Sequence, residues 1–236
     1  MKKILLLLSI SLLIGFTNEL KAQDPAFSQF FANPLYLNPA MAGTNICPRI
    51  SLNHRNQWPG IGKTYVTYGA SYDQYIDKLG GGLGFAVAKD VAGAGNLNTT
   101  HISATYAYRL KVNKKLSINA GFEAAYRQLG IDWQNLTFGD MIDPIQGFIY
   151  PTNEDIVNYA NSKGFTDFAA GFMGFGNANN QFDYYFGFAA HHITMPDQGF
   201  IGESRLPMKI TANIGASFPL NRFGTYRTNS GNRAKN

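Results

Sequence analysis

The residue types that most often carry catalysis or metal binding are sparse here: four histidines, one cysteine and fifteen acidic residues in 236. His191 and His192 are adjacent, and neighbours on a strand point to opposite faces, so they do not combine at one metal. His54 and His101 lie far from them in the chain. Asp140, Asp143, Glu154 and Asp155 fall in one loop but lack the dense Asp/Asn spacing of a calcium loop, and they read as solvating groups. His101 and Ser103 share a strand face, as a hydrolase base and nucleophile would, yet no orienting third group or motif marks them. Gly80, Gly81 and Gly82 precede a strand rather than a helix, so they cradle no phosphate. Cys47, being alone, excludes an intrachain disulfide and every cysteine-based metal motif. The expectation is a chain with no catalytic residues, no cofactor and no metal, hence no enzyme.

The elements around these residues are of another kind. Residues 1–22 read as a secretory signal peptide: Lys2 and Lys3 precede an apolar run over 4–16, and cleavage after Ala22 leaves Gln23 as the new N-terminus. The run is shorter than the roughly 20 residues a helical span requires. Residues 23–47 form a separate segment, and its opening QDPAFSQFFANPLYLNPAMAG has neither helical nor strand period. Its prolines (Pro25, Pro34 and Pro39) fix φ and push the preceding residues extended. So apolar a stretch needs a dry partner. The expected docking residues are Asp24, Pro25, Phe27, Phe30, Phe31, Tyr36, Asn38 and Pro39, set either against the chain's own body or against another protein.

The formal charge of +5 is concentrated at the ends. Residues 221–236 hold Arg222, Arg227, Arg233 and Lys235 and no acid, whereas residues 23–220 carry 13 basic and 14 acidic groups. Such a body is no nucleic-acid surface. Aromatic residues at 14%, 25 glycines and no second long apolar run direct any membrane signal to strands rather than helices.

Period-two alternation runs through residues 48–220. Ile102, Ala104, Tyr106, Tyr108 and Leu110 oppose His101, Ser103, Thr105, Ala107 and Arg109. Leu116, Ile118, Ala120, Phe122, Ala124 and Tyr126 oppose Ser117, Asn119, Gly121, Glu123, Ala125 and Arg127. Similar strands are expected at 64–73, 182–192 and 208–218, weaker ones at 82–90 and 165–176, and the least regular at 49–58. Eight strands, many near the ~9–11 residues that cross a bilayer at a tilt, favour an all-β antiparallel transmembrane barrel over a sandwich. Arg109, Glu123, Arg127 and Lys209 are then lumen-facing, with outer-membrane lipid against the opposite faces.

Short connections at 74–79, 113–114 and 177–181 alternate with longer ones at 89–98, 129–163 and 193–206, with 59–63 a short exception. Short turns face the periplasm in such barrels, so the extended segment is expected to start on that side. The last clear strand ends at Phe218-Pro219-Leu220 before a polar, basic tail.

The order of QDPAFSQFFANPLYLNPAMAG, HRNQWPG (54–60), GLGFAVAKDVAG (82–93) and YAYRL (106–110) resembles the PorP/SprF family. The likeness continues through LSINAGFEAAYRQLGIDW, FTDFAAGF and YYFGFAAHH to about residue 218. It implies an outer-membrane barrel of type IX secretion and gliding motility, reached after signal-peptide cleavage. The implied partners are other secretion or gliding machinery proteins in the periplasm, or a secreted adhesin at the surface. It supplies no catalytic residues. Relatives in that family run on for further strands, so a shortened form of a larger barrel is expected. The strand pattern by itself equally permits a transport barrel for small or hydrophobic solutes.

Overall fold

The structure is a computed structural model that describes residues 24–217 apart from 26, 46, 61–64, 94–96, 114, 155–158 and 179–181. The leader, Gln23, Asp155 and everything from Phe218 through the basic tail lie outside the described residues. Eight strands form one antiparallel meander: β1 (Arg49–Gln57), β2 (Tyr65–Ile76), β3 (Gly81–Ala92), β4 (Leu97–Lys111), β5 (Leu116–Ile131), β8 (Ser162–Ala178), β9 (Phe182–His191) and β10 (Lys209–Ser217). A separate two-stranded hairpin, β6 (Ile142–Asp143) and β7 (Gly147–Phe148), interrupts the connection from β5 to β8. The eight-stranded sheet curls into a half-barrel. Among the described residues β1 and β10 stand at its two edges and do not pair with each other.

Registers run without a bulge, so alternation in the sequence becomes alternation in space. Glu123 stands opposite Thr105 and Phe122 opposite Tyr106. Phe122 is 52% exposed on the convex face, while Glu123, at 8%, is buried on the concave one. The polar face is therefore the covered one. The apolar core that remains is a small group of Leu35, Ala42 and Ala107 with Ala86 beside it. Thr67, Ser71, Asp73, Asn119 and Asp167 are buried instead. A water-soluble sandwich buries its apolar faces, whereas here those faces carry the exposed Ile50, Leu52, Phe85, Ile102, Tyr108, Phe122 and Ile214. No described helix is long and apolar enough to cross a membrane, and this says nothing about strands.

Two expectations need correction. The segments judged weak form full strands: the one expected at 82–90 becomes β3, 12 residues long, and the one expected at 165–176 becomes β8, 17 residues long. The connection expected to be long at 89–98 spans only residues 93–96, because β3 and β4 pair out to Ala92 and Leu97. The turn from β2 to β3 is a single 3-10 turn, Asp77–Leu79, closed by Gly80 at φ +61, a left-handed conformation that glycine adopts without strain.

Candidate functional site: a strap across the concave face

Residues 24–44 lie along the concave face as a strap. Its proline-rich sequence prevents regular structure, so it forms 3-10 turns at Phe30–Ala32 and Pro39–Met41 around a one-turn helix, Pro34–Leu37. Backbone groups left unpaired by these breaks must find other partners, and the polar face of the sheet supplies them. Asn119 donates to the Ala40 carbonyl at 3.1 Å, Arg109 to the Gly43 carbonyl at 2.7 Å and Arg49 to the Met41 carbonyl at 3.2 Å. The Gly43 amide donates to Asp73 at 2.8 Å, and Arg49 grips the same carboxylate with Nε at 2.8 Å and Nη2 at 3.1 Å. Thr211 donates to the Leu37 carbonyl at 3.2 Å, and His191 Nε2 lies 3.3 Å from the same oxygen.

Asn38 is wholly buried and works in two directions. Its Oδ1 accepts from the Ala40 amide at 2.9 Å and so caps the second 3-10 turn. Its Nδ2 donates to the strand carbonyls of Phe172 and Phe188 at 3.2 and 3.3 Å. The strap comes so close that three sheet positions, Gly82, Gly121 and Gly171, leave no room for a Cβ. A Cβ on Gly121 would stand 2.6 Å from Ala40 Cα, and one on Gly171 would stand 3.0 Å from Asn38 Cγ.

At its start the strap enters an ion cluster. Arg127 Nη1 donates to Asp24 Oδ1 at 2.7 Å, while Arg127 Nε lies 3.1 Å from Asp167 Oδ2. His192 bridges the two carboxylates, with Nδ1 2.6 Å from Asp167 and Nε2 3.0 Å from Asp24. Lys209 closes the ring by pairing with Asp24, and its ammonium also sits over the Tyr36 ring, 5.0 Å from the centroid. Two carboxylates thus meet two permanent cations, the pairing that burial of charge demands.

His191 and His192, expected on opposite faces, are both buried on the concave side. The cause is backbone: His192 follows the last residue of β9 with φ +57, and this left-handed kink turns its side chain back inward. Asp167, Asn119, Asp73 and Arg49 were not expected as site residues, and His192 was weighed only as a metal ligand, because nothing local marks their partners. Parity alone marks Asp73, Asn119 and Asp167 as inward residues. No group of three or more metal-ligating side chains occurs among the described residues.

The eight residues expected to dock are divided by the structure. Asp24, Asn38 and Pro39 are spent on the chain's own sheet. The Pro25 carbonyl accepts from the Tyr36 hydroxyl at 2.8 Å, and Phe27 packs edge-on to Tyr36 at 5.5 Å. Phe30 and Phe31, at 60% and 68% exposure, point away from the sheet in mutual edge contact. Arg109, Glu123, Arg127 and Lys209 all lie on the concave face. The direction of travel also differs from expectation. Asp24 meets Arg127, Asp167 and His192, toward the long connections, whereas Gly43 meets Asp73 and Arg109, toward the short turns. The strap therefore begins near the long-connection side and crosses to the other before β1.

A curled antiparallel sheet, apolar outside and polar inside, defines a membrane protein of the β-barrel class. The chain belongs to the PorP/SprF family, described as type IX secretion system membrane proteins, whose profile matches residues 19–231. It is thus an outer-membrane component of type IX secretion. No curated protein and no solved structure matches the chain.

Proposed function

We propose that this chain is a non-enzymatic scaffold of the type IX apparatus, docking periplasmic machinery on its short-turn side and a secreted adhesin on its long-connection side. Arg109, Glu123, Arg127 and Lys209 face the lumen in this reading; Arg109, Arg127 and Lys209 hold the strap, and Glu123 ties β5 to β4 through the Thr105 hydroxyl. The observation that carries it is the strap itself, bonded to the sheet from Asp24 to Gly43. A concave face occupied by its own chain favours docking over passage of solutes. The strap's partner-facing element is then the exposed Phe30-Phe31 pair, since the other six expected docking residues bond or pack within the chain.

The test is affinity purification from detergent-solubilised outer membrane, comparing the unaltered chain with Phe30→Ala/Phe31→Ala. Both side chains are exposed, so the variant is expected to insert normally and to lose the machinery that co-purifies with the unaltered chain. Retention of every partner by the variant removes the strap from docking. Solute conductance by the unaltered chain in planar bilayers, with nothing co-purifying, would install the transport reading instead.

A further inference from the structure

The connection from β5 to β8, residues 132–161, carries Asp132, Asp140, Asp143, Glu154 and Asp155 and no lysine, arginine or histidine. Connections this long without extensive secondary structure of their own are usually functional. Its carboxylates do structural work. Asp143 Oδ1 accepts from the amides of Ile145 and Gln146 at 2.8 Å each, and its Oδ2 from the Tyr150 hydroxyl at 3.1 Å. Asp140 accepts from the Asn153 amide at 2.6 Å and from the Thr152 hydroxyl at 3.1 Å. The base is fastened by buried Trp133, whose indole donates to the Ala160 carbonyl at 3.0 Å and whose ring meets Phe200 of the connection between β9 and β10 at 6.1 Å.

This polar frame holds apolar side chains out of contact. Ile142 stands opposite Phe148 across the hairpin, and Ile145 at the tip is 94% exposed. Phe148, Ile149 and Tyr150 are exposed as well. Clustered exposure of large apolar residues on an ordered frame marks an interaction surface, pre-organised so that little freedom is lost on binding.

We infer that the β6–β7 hairpin docks a protein partner through an apolar pocket rimmed by lysine or arginine. The inference rests on the scaffold reading and assigns the surface that receives the partner on the long-connection side. Charge selects the occupant. Interfacial membrane anchors are rich in lysine and arginine, whereas this connection has only acids and is repelled by an anionic lipid surface. The same acids repel a second copy of the hairpin. Ile145 fills the pocket, and the acids around it steer the encounter and favour a basic rim.

The experiment places a benzophenone photocrosslinker at position 145 of the full chain in living cells, with position 122 on the convex face as a lipid-facing control. A protein adduct at position 145 is expected, with lysine or arginine in the crosslinked peptide. Phe148→Asp and Glu154→Lys, each changing an exposed side chain outside the hydrogen-bonded frame, are expected to cut the adduct by about tenfold. Adducts only to lipid, only to this chain, to a peptide without basic residues, or none at all would overturn the inference. So would a protein adduct indifferent to both variants. Co-purification of secretion machinery is read in the same cells: its survival without the adduct sinks the hairpin alone, whereas its absence from the unaltered chain sinks the scaffold reading.

Discussion

Along β5 the convex face shows Ala120, Phe122, Ala124 and Tyr126, and the concave face Asn119, Gly121, Glu123, Ala125 and Arg127. In a soluble sheet the first set would be covered and the second wet. Here the second set is buried beneath the strap, and the first has no described element over it. The two faces differ in what replaces water. On the proposed reading the convex face meets hydrocarbon, which asks only for apolar side chains and fully paired strand backbone. For the concave face it is another stretch of the same chain, which asks that each polar group meet a specific partner. The convex face is thus tolerant in detail and strict in polarity, and the concave face the reverse.

Five substitutions, one of them a neutral control, probe these rules, beginning with the largest expected effect. Asp24→Ala removes the carboxylate that Lys209 pairs with and leaves Arg127 only Asp167, and breaking a buried ion pair from one side costs about 3–5 kcal/mol. Urea unfolding in lipid vesicles measures it, and limited proteolysis should cut the loosened strap before the sheet. A cost below 1 kcal/mol would mean that the strap is not held by its charges. Phe122→Arg puts a cation in hydrocarbon, at about 2–4 kcal/mol near the bilayer midplane. Its neighbour under Glu123→Gln keeps an acceptor for the Thr105 hydroxyl and should insert with unchanged heat-dependent gel mobility. Equal damage from the two would erase the distinction between the faces.

Gly121→Val sharpens the comparison from the concave side alone. The added carbons collide with the Pro39–Ala40 backbone, and overpacking of this kind costs about 1–3 kcal/mol. Proteolysis should show the strap displaced while the strands stay protected; loss of both together would mean that sheet and strap are one cooperative unit. Ile145→Ser lies outside both faces and is expected to change stability by less than about 0.5 kcal/mol. A larger loss in unfolding experiments would show that the hairpin tip packs against its own chain.

The antiparallel all-β fold and its eight long strands were legible from alternation. A residue's face depends only on parity once a strand is set, which is why Arg109, Glu123, Arg127 and Lys209 could be put together before any pairing was known. The family was legible too, because its opening motif and strand phrases keep their order. Only the tertiary structure decided where the strap lies. Its prolines say that it is extended, but its course is set by carbonyls meeting Asn119, Arg109 and Thr211, residues 79, 66 and 174 positions away from their acceptors. It likewise decided that His192 points inward, since a single positive φ overrides the parity that serves every residue before it. Alternation is a local property and survives translation into structure, whereas closure of an ion cluster joins Asp24 to Arg127, His192 and Lys209 across the whole sheet, and no local pattern encodes that.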